Sequence, residues 1–154
     1  MTRWRSIHLN HYTGSLPIRL GDPGNLSEAR RKEFREYSQW LQRMQLKHNI
    51  MLYRQDLKGF GEPAPKQWDG FQRINSDTRA GGIIGVFKQN GLEDQRLITV
   101  NFLDPGKMYI VKEAVTEKTV ATMSGEIMST KGFIVKLEKP VDSKLFEISE
   151  VKQD

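Results

Sequence analysis

Trp68-Asp69-Gly70-Phe71-Gln72-Arg73, followed after a polar turn by Gly81-Gly82-Ile83-Ile84-Gly85-Val86-Phe87, is the stretch whose reading decides the fold of this 154-residue chain. A loop rich in Gly and Pro, Gly59-Phe60-Gly61-Glu62-Pro63, hands over to these two short apolar runs. That punctuation predicts the opening hairpin of an antiparallel sheet rather than more helix. The Gly and Pro residues from Asp56 to Lys66 also make the best domain boundary in the chain.

Downstream, strand candidates follow in close succession at 68–74, 82–88, 96–102, 108–113, 119–123, 133–138 and 144–149. Many alternate apolar with polar residues, as in Leu97-Ile98-Thr99-Val100-Asn101-Phe102, and turn residues such as Asn90-Gly91, Asp104-Pro105-Gly106 and Gly132 separate them. Short strands at this regular spacing predict an antiparallel β-sandwich or a closed barrel.

Upstream the pattern differs. Ser15-Leu16-Pro17-Ile18-Arg19-Leu20 is a short strand candidate ended by Gly21-Asp22-Pro23-Gly24. Asn25 then caps a helix, with Ser27 as the competing cap, and Phe34, Tyr37, Leu41 and Met44 recur at spacings of three and four, widened by Trp40. That is one apolar face of a helix ending near Lys47 or His48. Strand, loop and amphipathic helix form a single β/α unit, which has no partner strand of its own and must belong to, or dock on, something larger.

Composition sets the outer bounds. A hydrophobic content of 37% and a mean hydropathy of -0.60 describe a soluble protein. No apolar run approaches the roughly 18 residues that cross a membrane, and no secretory leader is visible after Met1-Thr2-Arg3-Trp4-Arg5, so no membrane partner is expected and the compartment stays open. The absence of cysteine excludes disulfides, thiolate metal sites and a cysteine nucleophile. The net charge of +5 permits nucleic-acid binding, but Glu28, Glu33 and Glu36 are interleaved with Arg30, Arg31, Lys32 and Arg35. Such mixing marks a solvated helix face, and no nucleic-acid partner is expected.

The search for chemistry is mostly negative. His8 and His11 share a helical spacing but lack a third ligand, and His48 stands apart, so neither metal nor cofactor is expected. Gly81-Gly82 lacks the Lys-Ser/Thr of a phosphate loop and reads as a tight turn or close strand packing. Asp56, Glu62, Asp69 and Asp77 lie in a turn-rich region with nothing to set two carboxylates across a sugar. Trp68, Phe60 and Phe71 are the candidate carbohydrate-binding residues, since aromatic rings stack on pyranose faces; the favoured reading instead buries them, with Trp68 at the junction with the helical piece.

The second half resembles the C-terminal β-sandwich of α-galactosidase-type glycoside hydrolases, the melibiase-like enzymes of family 36. Four segments carry the resemblance. They are Trp68 to Phe87, Leu103-Asp104-Pro105-Gly106-Lys107-Met108-Tyr109, Ser124-Gly125-Glu126-Ile127-Met128 with Gly132-Phe133-Ile134-Val135, and the closing Lys144-Leu145-Phe146-Glu147-Ile148. Gly14 to Asp22 and the following helix resemble the last β/α unit of that family's catalytic (β/α)8 barrel. The barrel strands that bear the family's nucleophile and acid/base have no counterpart in this sequence, so the resemblance transfers no catalytic residue.

The expected protein is therefore mainly β: an antiparallel β-sandwich at 56–154, preceded at 1–55 by a β/α remnant with one long amphipathic helix. The resemblance implies an accessory region of an α-galactosidase-like enzyme, non-catalytic by itself, whose partner is the catalytic barrel. The helix face makes a homo-oligomer a second expectation. The alternative is a free-standing carbohydrate-binding module built on Trp68, Phe60 and Phe71.

Overall fold

The computed structural model describes residues 26–60, 66–89 and 93–152. The strand expected at 15–20, Asp22, the Asn25 cap, His8, His11 and Glu62 lie outside those residues. Among the described ones, the protein is mainly antiparallel sheet with one long helix, as expected.

That helix, α1, is Glu28–His48. Ser27 caps it: its hydroxyl accepts from Arg30 N at 3.4 Å, satisfying one of the orphan donors of the first turn. Asn49, in the left-handed conformation at φ 54°, ends it and donates its N–H to Gln45 O at 2.9 Å. The face that goes inside differs from the expected stripe. Trp40, Met44 and His48 are buried, Tyr37 and Leu41 only flank them, and Phe34 is half-buried. Positions spaced by four line one side of a helix, and here the largest ring sets the centre of the contact.

A single 3-10 turn, Ile50–Leu52, follows the helix. Then come β1 (Gln55–Asp56), β2 (Trp68–Ile74), β3 (Gly81–Lys88), β4 (Gln95–Ile98), β5 (Met108–Glu113), β6 (Thr119–Ser124), a short helix α2 (Gly125–Thr130), β7 (Phe133–Lys136) and β8 (Asp142–Glu150). Six strands pair in the order β1-β2-β3-β8-β5-β6, and β4 pairs with β7 as a separate ribbon. All these pairings are antiparallel.

The sheet has a layer on each face. Ile84 and Val86 of β3, Phe146 and Ile148 of β8, and Tyr109 and Val111 of β5 pack with Ile98, Phe133 and Val135 of the ribbon. On the other face, Ile83, Phe87 and Leu145 pack with Trp40 and Met44 of α1. β3 is thus buried at all eight positions, which explains why its sequence is a continuous apolar run instead of an alternation. Its glycines admit close neighbours. Gly81, at φ 138°, would drive a Cβ to 2.0 Å from Ile148 O, and the ring of Phe71 fills the place that a Cβ on Gly85 would need. Phe71 then stacks on Phe87 at 6.0 Å.

Two expectations are corrected. The strand expected at 96–102 stops at Ile98, because Val100 turns away to donate its N–H to Met128 O of α2. α2 itself was not expected; at six residues it is too short to show a helical period, although Ser124 caps it by accepting from Ile127 N at 3.2 Å. The second layer of the sheet packing is the two-stranded ribbon of β4 and β7.

The two cores lie on opposite faces of one sheet, which yields a test of their independence. Trp40→Ala and Trp68→Ala are each expected to cost about 3 to 5 kcal/mol, as for a large aromatic removed from a core. Because the two rings belong to separate clusters, the double variant should lose the sum to within about 0.5 kcal/mol. Urea midpoints of the four proteins check this, and strong non-additivity would show that the layers do not pack independently.

Candidate functional site

The aromatic trio is not brought together. Trp68 and Phe71 are separated by an odd number of positions on β2, and alternation sends them to opposite faces of the sheet. Trp68 is 5% exposed in the core shared with the ribbon, and its indole N–H donates to Glu93 O at 3.1 Å. Phe71 is on the α1 side. Phe60 packs at the edge of the Trp68 core, and the Arg96 guanidinium lies 4.2 Å over its ring while donating to Gly59 O at 2.6 Å. The three rings therefore form no single sugar platform. Trp68 is also not at the junction with the helix, where it was expected; Trp40 with Phe71 and Phe87 takes that place. The parity of positions 68 and 71 was the signal in the sequence that could have shown this.

The candidate carboxylates are engaged separately. Asp77 accepts from Tyr53 OH at 2.7 Å, and Asp69 is buried on β2 with Gln89 Nε2 donating to its Oδ2 at 3.2 Å. Asp56 is exposed on β1, opposite Phe71. Among the described residues, no group of three His, Asp or Glu side chains is arranged to hold a metal ion.

The polar constellation that does form joins α1 to β8. Glu147 Oε1 accepts from Lys47 Nζ at 2.6 Å, His48 Nε2 at 3.2 Å and Ser149 Oγ at 2.5 Å. Burial pushes the carboxyl up, but the hydrogen bonds from His48, Lys47 and Ser149 outweigh it and hold Glu147 down at about 2. A carboxylate so acidic, with one oxygen taking three donors, is a poor general base. It is a fastener for the end of the helix, where Lys47 also complements the negative end of the helix dipole.

Side chains of the β2–β3 hairpin complete the same junction. Asn75 Nδ2 donates to His48 O at 3.0 Å, satisfying a carbonyl at the helix end, and Arg73 Nη1 donates to Ile50 O at 3.3 Å and Tyr53 O at 2.9 Å in the segment that follows it. Tyr109 plays a comparable role at the far turn. Its hydroxyl accepts from Asp104 N at 2.9 Å and donates to Arg79 O at 2.6 Å, tying the Leu103-Asp104-Pro105-Gly106 turn to the β2–β3 hairpin. No motif announced His48 and Glu147, because the two lie far apart in sequence and only the fold makes them neighbours.

Comparison of the sequence with family models and with curated proteins finds no match. Comparison of the structure finds solved enzymes with the same fold. The chain is similar to the family 36 α-galactosidase AgaA of Geobacillus stearothermophilus in complex with raffinose, with a TM-score of 0.66 at 12% identity, over 84% of this chain and 17% of that one. It is similar to the α-galactosidase of Lactobacillus brevis, with a TM-score of 0.65 at 12% identity, over 86% of this chain and 18% of that one. The galactosidase domain of the α-galactosidase-sucrose kinase AgaSK gives a TM-score of 0.61 at 11% identity, over 84% and 17%. The likeness establishes the fold, and this chain spans less than a fifth of each of those enzymes.

The Glu147 cluster makes stability depend on acid. Its carboxyl titrates at about 2 in the folded chain against an ordinary 4.5, so the unfolded chain binds more protons between those values. The stabilisation is complete above about pH 4.5 and is lost as pH falls toward 2, an amount on the order of 3 kcal/mol. Glu147→Gln should therefore lower stability at pH 7 and flatten its decline between pH 5 and pH 2. Urea titrations across that range measure it, and an unchanged acid slope in the variant would refute the role given to Glu147.

Proposed function

We propose that this chain is the C-terminal accessory region of an α-galactosidase-like glycoside hydrolase, non-catalytic by itself, which packs on and stabilises the catalytic barrel. In this reading residues 1–55 carry the last β/α unit of a (β/α)8 barrel and residues 56–154 the accessory domain. The observation that carries the proposal is coverage: 84% of this chain follows the fold of 17% of a much longer α-galactosidase. The ordered resemblance of four sequence segments to the C-terminal part of such enzymes points the same way.

The physical reading of the site agrees with an accessory role. Glycoside cleavage needs two carboxyl groups held about 5 to 10 Å apart across the scissile bond, one of them poised to give up a proton. Here the strongly shifted carboxylate, Glu147, is shifted away from that use and spent on holding α1. Division of the chain at residue 56 is one of parentage rather than packing. α1 gives its apolar face to β3 and β8, and β1 pairs with β2, so the two parts are fastened into one body.

The chain alone is expected to release no product from an aryl α-galactoside above the buffer rate. Galactose should leave the fluorescence of Trp68 unchanged, because that ring is enclosed. Turnover that is lost in Asp69→Asn would overturn the non-catalytic assignment, and a saturable spectral shift would favour the carbohydrate-binding module. Sequencing upstream of the Met1 codon tests the parentage directly, and the expected finding is a reading frame that encodes a barrel.

A further inference from the structure

The tip of the β5–β6 hairpin holds a backbone conformation that its sequence does not favour. Glu113 donates its N–H to Lys118 O at 2.8 Å and closes a loop of Ala114, Val115, Thr116 and Glu117. Inside that loop Thr116 donates its N–H to Ala114 O at 2.8 Å, and Val115 between them stands at φ 67°. A hydrogen bond across two residues around a positive φ is a γ-turn of the rare, strained hand. A β-branched residue in that region is an outlier, where Gly or Asn would be at ease. Glu117, two residues on, is left-handed as well, at φ 55°.

Hydrogen bonding does not select this form, because the common γ-turn, with φ of about −75°, makes the same bond. The two hands differ in where they send the Cβ. In the strained one Val115 is half-buried and packs against the cluster of Trp40, Phe87, Ala114 and Leu145, with Tyr37 and Leu41 of α1 at the same margin. Ala114 is fixed beside it, buried and donating its N–H to Leu145 O at 2.8 Å. The exposed part of the tip also leans toward the helix, with Glu117 Oε1 3.9 Å from Arg43 Nη2. An ion pair so open to water contributes little, so the Val115 side chain is the contact that offsets the strain.

We infer that this tip is a strap over α1 with two settings: Val115 takes the strained γ-turn while the helix lies on the sheet, and the relaxed one when the helix lifts. Strained backbone persists only where its surroundings over-determine it, and it gathers in switch regions. The surroundings in this case include a separable element. α1 is held by its apolar face and, at its C-terminal end, by the contacts of Lys47 and His48 with Glu147. Lifting it takes Trp40, the largest ring of the cluster, away from Val115. The strain is then no longer offset, so the seating of α1 and the setting of the strap are one event. The inference concerns packing within this chain and is independent of the parentage proposed above.

Glycine and alanine at position 115 separate strain from packing, since both remove the branching methyls and only glycine accepts the left-handed region freely. Val115→Gly and Val115→Ala are compared in the full chain by urea denaturation and by native-state hydrogen exchange, read on peptides from α1 and from β3. Alanine is ordinarily the more stabilising of the two residues. Here the unfolding constant of Val115→Gly should instead be lower than that of Val115→Ala, by about 5-fold or more. The same factor should slow the exchange of α1 amides in Val115→Gly relative to Val115→Ala, and in both variants those amides should exchange faster than the amides of β3. The ordinary order in urea, with Val115→Ala the more stable, would show that Val115 carries no strain and would overturn the inference. Equal α1 exchange in the two variants would overturn it too, because the strain would then remain after the helix lifts. So would α1 amides as slow as those of β3, because the helix would then never lift by itself.

Discussion

A strand buried on both faces cannot sit at the surface of anything, and β3 imposes that condition on the rest of the molecule. Its eight residues are all enclosed. The sheet therefore needs a layer on each side, and the protein supplies a ribbon with α2 on one and α1 on the other. Apolar burial at about 25 cal/mol per Å² rewards both, but only if the backbone can approach closely enough. Gly81, Gly82 and Gly85 permit that approach, and Phe71 restores over Gly85 the side-chain packing that a glycine lacks.

Polar groups buried by this arrangement are put to work as fasteners. Lys88, 2% exposed, pairs with Asp94 and donates to Leu137 O at 2.8 Å, closing the end of β3 against the ribbon. Arg73, Asn75 and Glu147 do the same for the end of α1. Each would carry a desolvation cost if left alone, and each meets a partner whose identity depends on the fold.

The strands were legible because alternation and turn residues are local signals. Met108–Glu113 falls where the pattern at 108–113 puts it, and Trp68–Ile74 likewise. The ends of β4 and β7 were not legible, since Val100 and Leu137 remain apolar after leaving their strands and find partners in α2 and at Asp94. The helix was clear as a helix, but its inward face was misjudged by counting apolar positions, because His48 enters the interface through a hydrogen bond rather than through hydrophobicity. The candidate site suffered most. Strand parity already separated Trp68 from Phe71, whereas the pairing of His48 with Glu147 is written nowhere in the local sequence.

The order of strands also bears on how the chain acquires its shape. β3 pairs with β2 through a short turn, but its other neighbour is β8, the last strand, in a register that sets Phe87 against Ser143 and Gly81 against Ser149. During synthesis β3 must wait for nearly the whole domain before its second edge and second face are closed. A long-range closure of this kind slows folding and leaves an apolar edge open to wrong partners in the interval. The β2–β3 hairpin and α1, joined by Asn75 at His48 O and by Arg73 at the turn just beyond the helix, are the natural early assembly on which β8 completes the sheet.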